Sequence, residues 1–134
     1  MPIVYAHEPD LPVESFRAVL MATTLGARRP VDDLERLARM LRQADLVVTA
    51  RHDGRLVGVS RAITDFSYCC YLSDLAVAAD HQHQGIGRRL VAETHRLAGE
   101  LTTLILIAAP EAEAYYPKIG MTQRPSCWTL PRAR

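Results

Sequence analysis

The stretch from Asp74 to Leu90 constrains the fold more than any other part of the chain. It reads Asp-Leu-Ala-Val-Ala-Ala-Asp-His-Gln-His-Gln-Gly-Ile-Gly-Arg-Arg-Leu. A β-rich run ends at Val77, a polar loop follows, and Ile86, Leu90, Val91, Leu97 and Ala98 then trace one face of a helix. A strand that feeds a helix in this way stacks a helix layer on a sheet, so the chain belongs to the α/β layer structures. The helix opens on Gly85 and Gly87. Helix N-termini expose backbone N–H groups that have no intrahelical partner, and they carry a partial positive charge. Glycines there remove the Cβ atoms that would keep a pyrophosphate from the backbone. Arg88 and Arg89 add charge-assisted donors beside them.

The rest of the chain fits around this turn. Ile3 to Ala6 is apolar enough for a first strand. Pro12 opens a helical segment with Phe16, Val19, Leu20 and Thr23 on one face, closing near Gly26. Asp32 and Glu35 have capping-box spacing ahead of Leu34, Leu37, Ala38 and Leu41. The β-rich runs Leu46–Ala50 and Leu56–Val59 flank Asp53-Gly54, which predicts a hairpin. Tyr68 to Val77 predicts a long strand. Leu104 to Ala108 is continuously apolar, the pattern of a strand covered on both faces. Glu111 to Ile119 predicts a short helix ended by Gly120, and Met121 to Leu130 a last irregular strand. The expected order is βααβββαβαβ, a mixed central sheet flanked by helices. The 134 residues are enough for one domain, 1–134, and too few for two.

Charge and composition narrow the function. Sixteen basic and fifteen acidic residues leave a net charge of +1, with no long basic block, so phosphate-driven nucleic-acid binding is not expected. The pairs Arg28-Arg29 and Arg88-Arg89 are too short to change that. Cys69, Cys70 and Cys127 have no zinc spacing and read as small apolar strand residues. The five histidines form no HExxH pattern, and no metal is expected. No segment reads as a signal peptide or membrane span, which fits a cytoplasmic protein.

Three phosphate-binding patterns compete at the glycine turn. A dinucleotide fingerprint needs a third glycine where Leu90 stands, and a P-loop needs Lys followed by Ser or Thr where Arg88 and Arg89 stand. What remains, Gln82-x-x-Gly85-x-Gly87, resembles motif A of the GNAT superfamily of acyl-CoA N-acyltransferases. Leu75-x-Val77 upstream and Ala112-x-x-Tyr115-Tyr116-x-Lys118-x-Gly120-Met121 downstream resemble further segments of that family. The likeness covers nearly the whole chain. It implies that the backbone of Leu75, Ala76 and Val77 pairs with the pantetheine arm of acetyl-CoA. It implies that amides across Gln82, His83, Gln84, Gly85, Ile86, Gly87 and Arg88 hold the pyrophosphate, and that the Leu75 N–H faces the thioester carbonyl. Ala109 departs from the pattern, because the family often places Asn there. A homodimer is a family habit.

Acetyl transfer to an amine sets two proton problems. An alkylamine of pKa about 10.4 is neutral in roughly 1 of 2,500 molecules at pH 7, a barrier of about 4–5 kcal/mol unless a base intervenes. A thiol of pKa about 8.5 is a tolerable leaving group. By resemblance Tyr116 stands near the sulfur as general acid, with a packing tyrosine as the alternative. Family members carry Glu on the fourth strand, where this chain has Tyr71 and Ser73. Asp74 matches a neighbouring acidic position, and the two readings are a base, through water, or a structural hydrogen-bond partner. The expected reaction is acetylation of a small-molecule primary amine in a ternary complex. The alternatives are a non-catalytic acyl-CoA-binding module, or an enzyme acting on protein lysines or N-termini.

Overall fold

The structure, a computed structural model, describes residues 2–133. One sheet holds β1 (Ile3–His7), β2 (Leu46–His52), β3 (Arg55–Thr64), β4 (Cys69–Val77) and β5 (Thr103–Ile105), lying side by side in chain order. The helices are α1 (Val13–Met21), α2 (Leu34–Gln43) and α3 (Ile86–Ala98). Neighbouring strands are antiparallel except β4 and β5, whose parallel pairing needs the crossover that α3 supplies. The β2–β3 turn is made by Asp53 and Gly54, both at positive φ (52° and 81°), as the Asp-Gly signal predicts.

Alternation along β2 builds two cores, because successive side chains take opposite faces. Val47 packs with Phe16, Leu20, Leu37, Leu41 and Val59 beneath α1 and α2. Val48 packs with Ala50, Val57, Ile86 and Leu90 beneath α3. Pro12 precedes α1 as expected. The cap of α2 is Asp33, one residue later than expected, and its side chain accepts from the Arg36 N–H at 3.0 Å.

The C-terminal third departs from the expected order. The segment Glu111–Ile119 is not a helix but part of two separate 3₁₀ turns, Pro110–Ala112 and Tyr116–Ile119. Pro117 removes a donor and clashes with a preceding carbonyl, which blocks an α-helix there. Met121–Leu130 forms no strand, and Trp128 and Leu130 are 92% and 99% exposed. Pro125 and Pro131 deny that segment ladder hydrogen bonds. The expected Leu104–Ala108 strand shrinks to Thr103–Ile105, and Ile105 and Ile107 are exposed rather than covered. Of the cysteines only Cys70 is buried, and all three are free thiols.

Candidate active site

A defect in β4 creates the site. Ala62 pairs with Leu72 and Arg61 with Asp74, so Ser73 is one extra residue on β4, a β-bulge. Cys70 packs with Ala98 of α3, whereas Ala76, at an even spacing from it, joins the core of α1 and α2. In an unbroken strand the two would share a face. The bulge reverses the faces between them. Pairing of β4 with β5 ends at Tyr71, just before the bulge. Beyond it a cleft opens between Ser73, Leu75, Ala76 and Val77 on one side and Leu106, Ile107 and Ala109 on the other. Tyr116 lines the cleft, Gln82 closes the end towards α3, and Thr23, Leu25 and Arg29 wall the end towards α1.

At the α3 end, Gly85 is the N-cap, with a left-handed backbone (φ 83°) that an L side chain would strain. Its carbonyl accepts the first helical bond, from the Arg89 N–H at 3.0 Å. A Cβ placed on Gly87 would lie 2.7 Å from the Tyr115 hydroxyl. Burial is the larger influence on the Tyr115 phenol and raises its pKa, while the nearby Arg88 backbone N–H lowers it. The Tyr115 hydroxyl therefore stands against the start of α3, in a space that only glycine leaves open. Gln82, His83, Gln84 and Arg88 are exposed around it, and Ile86 turns its side chain into the core. Gln82 Nε2 donates to the Val77 carbonyl at 3.0 Å, which ties the turn to the end of β4.

The Tyr116 ring meets the Tyr115 ring edge-on, with centroids 5.3 Å apart. Burial, and after it the neighbouring Tyr115, raise the Tyr116 pKa, so the phenol is protonated at neutral pH. Leu75 sits opposite Ser60, beyond the bulge and on the open edge of β4.

Asp74 is fully buried and lies outside the cleft lining. Its Oδ1 accepts from Arg29 Nε at 2.5 Å, and its Oδ2 accepts from Arg61 Nε. Arg29 Nη2 donates to the Ser73 carbonyl at 2.8 Å, and Arg61 Nη2 to the Ser73 hydroxyl at 3.1 Å. The geometry does not suit the base expected at this position, because both carboxylate oxygens are engaged and neither faces the cleft.

Sequence reasoning missed both arginines. Arg61 interrupts the apolar run Val59–Ile63, and an arginine inside a buried strand requires a buried partner. Arg28-Arg29 is too short for nucleic acid, yet its second residue walls the cleft. A second connection went unseen as well. His52 Nδ1 and His81 Nε2 share a hydrogen bond at 2.9 Å, and His81 Nδ1 lies 2.8 Å from Asp80 Oδ1, which ties the β2–β3 hairpin to the loop before Gln82.

A family model described as an acetyltransferase (GNAT) domain matches residues 23–125. The chain belongs to the GNAT family. It is 28% identical over 78 residues to an uncharacterized N-acetyltransferase of Pyropia yezoensis, a match covering 54% of this chain and 43% of that protein. The chain therefore spans less than half the length of that relative. Solved structures share the fold. A GNAT-family acetyltransferase of Streptococcus pneumoniae superposes with a TM-score of 0.77 at 18% identity, covering 99% of this chain and 98% of that one. An aminoglycoside N-acetyltransferase solved in complex with CoA gives a TM-score of 0.75 at 17% identity, covering 99% and 96%. Among the described residues, no helix of this GNAT domain is long and apolar enough to cross a membrane.

Proposed function

We propose that this GNAT domain transfers the acetyl group of acetyl-CoA to the amine of a small molecule. One observation carries the reading: a single cleft runs from Gln82 and Val77, just before the glycine-opened start of α3, to Tyr116 and the bulge at Ser73. The backbone from Gln82 to Arg88 would hold the pyrophosphate, and the open edge of Leu75, Ala76 and Val77 would pair with the pantetheine arm. Bound acetyl-CoA supplies an activated acyl carbon and a thiol leaving group. The Leu75 N–H is assigned to the thioester carbonyl oxygen, where a backbone donor stabilises developing negative charge. Tyr116 donates a proton to the departing sulfur. Phenol and thiol differ by about 1.5 pKa units, so this transfer is uphill by roughly 2 kcal/mol before burial adds to it. Hydrogen bonding to the sulfur is its main contribution.

The acceptor's proton goes to water, because no carboxylate stands among the described residues lining the cleft. The cost of losing that proton therefore rises with the acceptor's basicity: about 1 kcal/mol at pH 7 for a peptide's α-amino group of pKa about 7.7–8.0, against about 4–5 for an alkylamine.

A panel of amines offered with acetyl-CoA, scored by released thiol, tests the reading. Turnover above the hydrolytic background is expected with at least one small amine. Tight CoA binding without amine-dependent thiol release would make the domain an acyl-CoA-binding module instead.

A further inference from the structure

We infer that the acceptor amine also carries a carboxylate, and that Arg29 binds it. The inference rests on the acetyl-transfer reading above and names the acceptor class for the same cleft. Arg29 is the one charged side chain among the described residues that line the cleft, and it stands on the wall opposite the α3 end. Its side chain is 22% exposed, whereas Asp74 beside it is fully buried.

A guanidinium has five N–H donors in one plane. On Arg29, Nε is committed to Asp74, Nη1 donates to the Arg28 carbonyl at 2.9 Å, and Nη2 donates to the Ser73 carbonyl at 2.8 Å. Each terminal nitrogen keeps one further N–H. Two donors remain, one on each terminal nitrogen, enough for the two oxygens of a carboxylate. The three existing bonds hold the fork in place, so little side-chain entropy is left to lose on binding.

Charge points the same way. Arg29 and Arg61 share the single carboxylate of Asp74, so the cluster has one formal positive charge in excess. Arg61 is 10% exposed at its side chain, so the excess faces solvent through Arg29 and the cleft. A polyamine-type acceptor would bring further cations to a wall that offers them no carboxylate. An amine bearing a carboxylate brings the missing anion. The Ser73 carbonyl and hydroxyl both accept from this cluster, which anchors Arg29 and Arg61 at the bulge.

The test uses the proteinogenic L-amino acids and β-alanine, each paired with its own carboxamide, as acceptors with acetyl-CoA. Within the best pair, kcat/KM expressed per unprotonated amine, because the carboxylate raises the amine pKa above that of the carboxamide, should favour the carboxylate by about 10- to 100-fold, the range of a charge-assisted hydrogen bond. Arg29→Lys keeps the charge but loses the fork, and should cut that preference to within about threefold. Equal or better turnover of the carboxamides overturns the inference, as does an undiminished carboxylate preference in a folded Arg29→Lys protein. Calorimetric titration of the same pairs into the wild-type CoA complex separates the two readings. If no amine is acetylated, acetyl transfer falls, and a carboxylate-over-carboxamide binding preference still decides the role of Arg29. If Arg29→Lys fails to fold, the wild-type pairs carry the decision.

Discussion

Asp74→Asn separates a structural carboxylate from a catalytic one. Asparagine keeps the shape and one acceptor oxygen, but its NH₂ group would face a guanidinium, donor against donor. Arg61, itself buried, would lose its counter-charge. Removing one partner of a buried ion pair costs about 3–5 kcal/mol. Arg29 is partly exposed and water can relieve it, which places the loss near the lower end, about 3 kcal/mol. Unfolding entropy of about 2.1 cal/mol/K per residue gives roughly 0.28 kcal/mol/K for 134 residues, so Tm should fall by about 10 °C. Scanning calorimetry measures the shift, and steady-state kinetics below the new Tm measures what activity remains. The same variant should show no upward move in the rising limb of its kcat–pH profile. A Tm within about 2 °C of the parent, combined with a large kcat loss and a displaced limb, would refute the structural assignment and restore Asp74 as a base.

Four further outcomes are expected. Tyr116→Phe should lower kcat about 10- to 100-fold, the low end of general acid–base effects, and an unchanged kcat would reduce Tyr116 to packing. Because burial raises its pKa, the activity that depends on its proton should persist through neutral pH and decline only above the ordinary tyrosine value of 10.0, as a pH–rate profile would show. Gly87→Trp should abolish CoA binding in calorimetry while Tm stays near that of the parent, since the group nearest the new Cβ is the movable hydroxyl end of Tyr115. Glu8 is held below its ordinary 4.5 by the paired bonds from Arg51, 2.8 and 2.9 Å long. A depressed carboxylate pKa contributes stability above the unfolded value and loses it as pH falls through the folded one. Glu8→Gln should therefore flatten the acid limb of Tm below pH 4.5, by under about 1 kcal/mol for a pair that water still reaches.

Much of the fold was legible because it rests on local signals. Asp53-Gly54 specified a turn, Pro12 a helix start, and Gly85 the break between loop and α3. The glycine turn was legible for the same reason, since backbone approach depends on the glycines themselves. In the C-terminal third, the expected helix Glu111–Ile119 and strand Met121–Leu130 gave too little weight to Pro117 and Pro125, whose missing N–H groups oppose both elements. The Arg29–Asp74–Arg61 cluster was illegible for a different cause. Arg29 and Asp74 are far apart in sequence, and only the folded sheet brings their charges together. No periodicity records such a pair.

A strand carries its orientation as a parity, odd residues one way and even residues the other, and Ser73 is where β4 changes from one count to the other. Every side chain downstream of it is aimed by that single extra residue rather than by its own chemistry. Replacing Ser73 should therefore cost one hydrogen bond from Arg61, whereas removing it should cost the frame of the strand. Losing one residue there would shift the frame of the strand, turning Asp74 and Ala76 towards α3 and Leu75 and Val77 towards α1 and α2. Two arginines would be left facing apolar side chains, and a buried acid would be pressed into an apolar core. In this strand, the number of residues before the cleft matters more than which residue marks the change.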